Sequence, residues 1–119
     1  MDLRIFGIKN CDTMKKTFQL LEREKIGYLF VDYKKIPPQE SLLLHFLERV
    51  SLEELINKRG TTYRKLEEEK KEQLNSIQMA IPLLIRHSSM IKRPLIQFPK
   101  GEIIIGLKEK ELLERMKMR

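Results

Sequence analysis

A chain of 119 residues, 41% of them apolar, suits one domain that buries roughly two-thirds of its unfolded surface, and it argues against wholesale disorder. Its single cysteine excludes an internal disulfide, and one cysteine with two widely spaced histidines does not make a zinc site. The net charge of +7 invites nucleic acid or acidic partners, yet no basic stripe stands free of acidic residues and no aromatic stacking platform accompanies it, so nucleic acid is not an expected partner.

Leu3 to Ile8 is an apolar run that predicts a strand. From Met14 to about Lys25, the residues Met14, Phe18 and Leu21 recur at helical spacing and predict the first helix. Gly27 is expected at the end of that helix, where a left-handed residue is commonly needed. Tyr28 to Tyr33 is aromatic and β-branched and predicts a second strand, so the first three elements form a βαβ unit with parallel strands. Pro37 and Pro38 are expected to open a helix whose apolar face is Leu43, Phe46, Leu47 and Val50. Ser51-Leu52-Glu53-Glu54 has the form of a capping box and predicts a short helix through Leu55 and Ile56.

The charged segment Lys65 to Asn75 reads as an exposed helix. Ile77, Ala80, Ile81, Leu84 and Ile85 predict another, in which Pro82 is expected to impose a kink or a restart. Pro94 to Phe98 and Glu102 to Gly106 are short β-rich runs. Gly101 between them can supply the positive φ of a tight turn, so an antiparallel hairpin is expected. Lys108 to Met116 closes the chain as an amphipathic helix using Leu112, Leu113 and Met116. The alternation gives an α/β class, and no linker, repeat or low-complexity stretch divides it. The longest apolar stretch, Met79 to Ile85, is too short to cross a membrane, and the chain enters a strand without the order of a signal peptide. No membrane partner and a cytoplasmic location are the expectation.

Cys11 stands between the first strand and the first helix. Unpaired N–H groups and the dipole at a helix start favour an anion, and Lys9, Lys15 and Lys16 add cations nearby. Settings of this kind lower thiol pKa values from about 8.5 to between about 3.5 and 7.5, which makes thiolate available at neutral pH. Other reactive-looking residues read as structural. His45 lies among Leu42, Leu43, Leu44, Phe46 and Leu47 and is expected to pack within its helix, and His87 reads as a loop residue. Glu53-Glu54 and Glu67-Glu68-Glu69 read as solvated helix faces, and Gly60-Thr61-Thr62 lacks the ending of a phosphate-binding loop.

Three blocks carry a resemblance. Gly7-Ile8-Lys9-Asn10-Cys11-Asp12-Thr13-Met14-Lys15-Lys16, Asn57-Lys58-Arg59-Gly60-Thr61-Thr62-Tyr63-Arg64-Lys65-Leu66 and Ile91-Lys92-Arg93-Pro94 resemble, in order and spacing, the arsenate-reductase-like (ArsC/Spx) family and its YffB branch. The resemblance implies a single thioredoxin-like domain over residues 1–119, with a mixed sheet in the order βαβ … ββα and an α-helical insertion at about 38–90. It implies Cys11 as the catalytic nucleophile, Arg59 and Arg93 with Lys9 and Lys108 as the anion or glutathione site, and Pro94 in a cis bond beside the cysteine. Lys108 falls where related arsenate reductases carry a third arginine, and lysine lacks the bidentate guanidinium fork.

No bound cofactor or metal is implied. Glutathione or another small thiol is the implied co-substrate, with glutaredoxin as a further partner. Spx-type regulators carry C-x-x-C, and here the second position is Met14. The H-N-P-x-C lead of arsenate reductases is not matched by Ile8-Lys9-Asn10. The branch that fits best implies a glutathione-dependent thiol-disulfide reductase. The alternatives are an arsenate reductase using glutathione or glutaredoxin, and a non-enzymatic regulator docking on RNA polymerase.

Overall fold

The structure is a computed structural model and describes residues 2–117. The chain divides into two compact units: one contains the described residues up to Val31 and those from Arg93 onward, and the other is Asp32–Lys92.

The first unit is built on a four-stranded sheet of order β2-β1-β3-β4, with β1 at Leu3–Gly7, β2 at Tyr28–Asp32, β3 at Leu95–Gln97 and β4 at Ile103–Ile105. β1 runs antiparallel to β3, pairing Arg4 with Gln97, Ile5 with Ile96 and Phe6 with Leu95. β3 and β4 form the expected hairpin. Its turn is closed by the Gly101 N–H donating to the Phe98 carbonyl (2.8 Å), with Gly101 at φ 101°, a conformation any side chain would strain. The sheet is mixed, which leaves β1 and β2 as the parallel pair of the βαβ unit.

Helix α1 (Asp12–Arg23) and helix α7 (Glu109–Lys117) supply the rest of this unit's core. Met14, Leu20 and Leu21 of α1 and Leu112 of α7 bury against Leu3, Ile5, Ile96, Phe98 and Ile104 of the sheet. Buried Thr17 turns its hydroxyl back to donate to the Thr13 carbonyl (2.8 Å), so it enters the apolar face without an unpaired group. Phe18 stacks on Tyr28 and meets Phe30 edge-on, with centroids 5.4 and 5.0 Å apart, and so joins α1 to β2.

Two expectations at α1 are corrected. The helix starts at Asp12, two residues before Met14, because Cys11 is its N-cap. At its other end the left-handed residue is Lys25 (φ 57°), not Gly27. Ile26 N–H donates to the Leu21 carbonyl and Lys25 N–H to the Glu22 carbonyl, a Schellman arrangement that places C′ two residues earlier. Gly27 instead answers a close approach: a Cβ there would stand 2.5 Å from an Asp2 carboxylate oxygen.

The second unit is helical, with α2 at Glu40–Leu47, α3 at Leu52–Leu55, α4 at Thr61–Arg64, α5 at Glu68–Gln73 and α6 at Ile77–Arg86, followed by a 3₁₀ turn at Ser88–Met90. Leu43 and Phe46 of α2, Leu55 of α3 and Ala80, Ile81 and Leu84 of α6 are buried in it. Ser51 forms the capping box in full: its hydroxyl accepts from Glu54 N–H, and the Glu54 carboxylate accepts from Ser51 N–H. An isolated bridge between Ile56 and Ile91 ties the chain just after α3 to the last residues of the unit, flanked by Asn57 N–H to the Met90 carbonyl (2.7 Å) and Lys92 N–H to the Leu55 carbonyl (2.8 Å).

Four expectations here are corrected. Pro37 and Pro38 precede α2, whose N-cap is Gln39. The segment expected as one helix from Lys65 is helical only over Glu68–Gln73, after the separate short turn α4. α6 runs through Pro82 as one helix, so the proline does not restart it. Proline removes the hydrogen bond to the Gln78 carbonyl, but both residues are exposed, so that carbonyl stays within reach of water. His45 does not pack inward: its side chain is exposed, with Nδ1 3.8 Å from Glu48 Oε2. No described helix is long and apolar enough to cross a membrane.

Candidate active site

Four residues, Ile8 to Cys11, separate the end of β1 from the start of α1, and the turn between them is tight. Ile8 is buried, Lys9 and Asn10 are exposed, and Cys11 N–H donates back to the Lys9 carbonyl at 3.0 Å. Cys11 then has extended backbone angles (φ −150°, ψ 132°), and its carbonyl accepts the first helical bond, from Lys15 N–H at 3.0 Å. This is the N-cap position, which serine, threonine, asparagine and aspartate favour because their side-chain oxygens accept from the second and third N–H groups of the helix. Cys11 puts sulfur there instead.

The neutral thiol makes no capping hydrogen bond of ordinary geometry. The thiolate is the form that the surroundings favour. Partial burial pushes the Cys11 pKa up, but the Met14 N–H, the Arg93 guanidinium as hydrogen-bond donor and charge, and the Thr13 N–H together outweigh that penalty, and the net result lies below the ordinary value of 9.0. Cys11 is half-buried and packs at the edge of the core that holds Met14.

Arg93 belongs to the same unit as Cys11 although 82 positions separate them (93 − 11). It is carried there by β3, which pairs with β1, and it precedes a cis Arg93–Pro94 bond with Pro94 buried. Lys9 is exposed in the turn before the cysteine, and Lys108 is exposed just ahead of α7, where its carbonyl accepts from Leu112 N–H. The groups that lower the thiol pKa are backbone amides and Arg93 rather than the lysines at positions 9, 15 and 16, all of which are exposed.

Arg59 lies in the helical unit, exposed in the turn between the Ile56–Ile91 bridge and α4. Its backbone N–H donates to the Asn57 side-chain oxygen (3.2 Å). Gly60 leaves space for that asparagine, since a Cβ there would sit 3.0 Å from its side-chain nitrogen. Thr62 and Ser89 share a hydroxyl hydrogen bond of 2.9 Å and join α4 to the 3₁₀ turn. A shallow cleft beside α6, lined by Glu40, Gln78, Ile81, Pro82, Ile85 and Arg86, contains none of the candidate site residues. His87 closes α6 through its N–H to the Leu83 carbonyl. Among the described residues no group of histidine, cysteine, aspartate and glutamate is arranged to hold a metal ion.

The two amide donors, Thr13 and Met14, were not singled out from the sequence. The signal for them was present, since any residue capping a helix faces the second and third N–H groups.

A family model described as the ArsC family matches residues 6–115, a span that includes the thiol, both arginines and every described element except the start of β1 and the end of α7. The chain belongs to the ArsC family. An uncharacterized protein of Haemophilus influenzae is 36% identical to it over 113 residues, covering 92% of this chain and 94% of that one. The solved structure of a YffB protein superposes with a TM-score of 0.87 at 35% identity, covering 94% of this chain and 96% of the other. The solution structure of an arsenate reductase (ArsC) related protein from Brucella melitensis gives a TM-score of 0.74 at 38% identity, with 98% and 96% covered. The fold is the thioredoxin-like one of ArsC proteins, and the family together with these neighbours supports a thiol-dependent oxidoreductase.

Proposed function

We propose that this ArsC-family protein is a thiol-disulfide reductase in which Cys11 is the nucleophile and glutathione, or a small thiol of its class, resolves the intermediate. The observation that carries the reading is the N-cap sulfur of Cys11, faced by the Met14 and Thr13 amides and by Arg93. The Cys11 thiolate attacks one sulfur of a substrate disulfide, forms a mixed disulfide and releases the other sulfur as a thiolate that takes up a proton. A second cysteine would resolve that adduct from within, but Met14 occupies the position three residues on. An external thiolate therefore attacks the mixed disulfide, restores the Cys11 thiolate and leaves bonded to the substrate sulfur, which a second external thiol frees as the two small thiols become their own disulfide.

The guanidinium of Arg93 and the two amides that hold the attacking thiolate favour its release again in the second step, because a stabilised thiolate is a better leaving group. Lys9, Arg59, Arg93 and Lys108 are proposed to bind the carboxylates of glutathione. Arg59 and Arg93 suit this by their planar donor forks, whereas Lys108 contributes charge without bidentate geometry. Glutaredoxin is the proposed protein partner for recycling the adduct.

The test is mass spectrometry after treatment with oxidised glutathione. A stable adduct of one glutathionyl group should accumulate, and it should vanish in Cys11→Ser. If Cys11 stays free under conditions that modify a control glutaredoxin, the reductase reading fails and a non-enzymatic docking role moves ahead.

A further inference from the structure

β1 ends at Gly7, against both halves of the thiolate's surroundings. A Cβ added at Gly7 would stand 2.8 Å from Met14 Sδ, 2.9 Å from Met14 Cε and 3.3 Å from Arg93 Cβ. The first two distances are shorter than real Cβ contacts, and the third is tighter than most. Gly7 is not among the glycines at positive φ, so the demand here is for space and not for an unusual backbone conformation. The register explains the crowding. Phe6 pairs with Leu95 at the end of the ladder, so Gly7 and Pro94 are the next residues on the two chains, one residue from the stem of Arg93. From the other side α1 delivers Met14, fully buried, with its backbone N–H directed at the Cys11 sulfur.

The two contacts differ in kind. Met14 meets the added carbon with the far end of a flexible side chain, which yields cheaply where there is room, but Met14 has no exposed surface to yield into. Arg93 meets it with Cβ, the atom fixed to the backbone next to Pro94. Relief therefore falls on the Arg93 stem or on the first turn of α1, and either movement parts a donor from the sulfur.

We propose that Gly7 is a positioning residue for the Cys11–Arg93 pair: the bare backbone at the end of β1 lets the Met14 side chain and the Arg93 stem close in together, and a side chain there holds the guanidinium off the sulfur. Gly7 touches no substrate and acts through Arg93. The proposal rests on the reading of Cys11 as an activated thiol.

The experiment is iodoacetamide alkylation of the whole protein across pH in four forms: wild type, Gly7→Ala, Arg93→Ala and the double variant. Gly7→Ala should move the rate midpoint upward and slow alkylation at neutral pH on the order of threefold or more, because less thiolate is present. In the Arg93→Ala background the same substitution should add less than in wild type, because only the first turn of α1 is left to part from the sulfur, and a general loss of stability would not reproduce that difference. An unchanged midpoint in a natively folded Gly7→Ala protein, or equal upward moves in both backgrounds, overturns the positioning role. Should Gly7→Ala fail to fold, Gly7→Ala/Met14→Ala removes the two shortest contacts and retains the one with Arg93, and its midpoint is compared with that of Met14→Ala. A wild-type midpoint at that of free cysteine defeats the activated thiol itself. A low wild-type midpoint that Gly7→Ala leaves in place defeats only the role of Gly7.

Discussion

At the scale of single residues, Cys11 links chemistry to stability through one proton. Its pKa is lowered on folding, so the folded state binds the thiolate form preferentially. The sign follows directly. The stabilisation is fully present above the unfolded thiol's pKa, near 9.0, and is lost as pH falls through the lower folded value. The stability advantage of wild type over Cys11→Ala should therefore grow from neutral to alkaline pH and level off near the unfolded value. Urea unfolding at a series of pH values checks this, and a pH-independent difference would contradict a depressed thiol pKa. Arg93→Ala should slow alkylation of Cys11 at neutral pH, whereas Arg93→Lys should retain part of the rate, since it keeps the charge but loses the planar fork.

At the scale of elements, the short helices depend on their ends and the long ones on their buried stripes. α3 has four residues, too few to persist by propensity, so its reciprocal cap with Ser51 and Glu54 carries much of it. Ser51→Ala should cost about 0.5–2 kcal/mol of unfolding free energy, measured by chemical denaturation. α6 presents the opposite case. Its helix continues through Pro82 because Ala80, Ile81, Leu83 and Leu84 bury a strong apolar face around it, and the proline ring itself is on the solvent side. Pro82→Ala should restore the hydrogen bond to the Gln78 carbonyl and stabilise the protein by about 2–2.6 kcal/mol. The helical penalty of proline is about 3 kcal/mol, and its entropic benefit in the unfolded chain offsets about 0.4–1 of that. A denaturation midpoint that fell on this substitution would mean that the ring makes packing contacts worth more than the bond.

For the molecule as a whole, the stability of a folded chain is typically about 5–15 kcal/mol, and the lone cysteine adds no internal disulfide to it. The closing helix α7 enters the core of the sheet unit through Leu112, which is completely buried. Leu112→Ala should remove about 2–5 kcal/mol, a large fraction of the total, and lower the thermal midpoint accordingly. The unfolding midpoint of the unmodified protein should be the same with and without reductant. A dependence on reductant would reveal a disulfide between copies through Cys11.

The strand and helix order was legible along the chain, because period, turn residues and a capping box are local signals: the hairpin around Gly101, the cap at Ser51 and the helix after Cys11 all follow from a few neighbouring side chains. The family, too, was readable, from three short blocks in the right order. Where local rules competed, the tertiary structure decided. Lys25 took the left-handed position ahead of Gly27 because the Schellman bonds of α1 close at that residue. Pro82 was absorbed because burial of one helix face outweighs one missing hydrogen bond, and His45 turned outward because Leu43 and Phe46 already fill the inward face of α2. Within the sheet unit, the sequence named Cys11 and Arg93 separately, but only the antiparallel pairing of β1 with β3 brings the end of one strand to the start of the other. A contact between residues so far apart in the chain is set by strand register, which no local pattern encodes. The narrow space at Gly7 exists only once that register and the packing of Met14 are both in place.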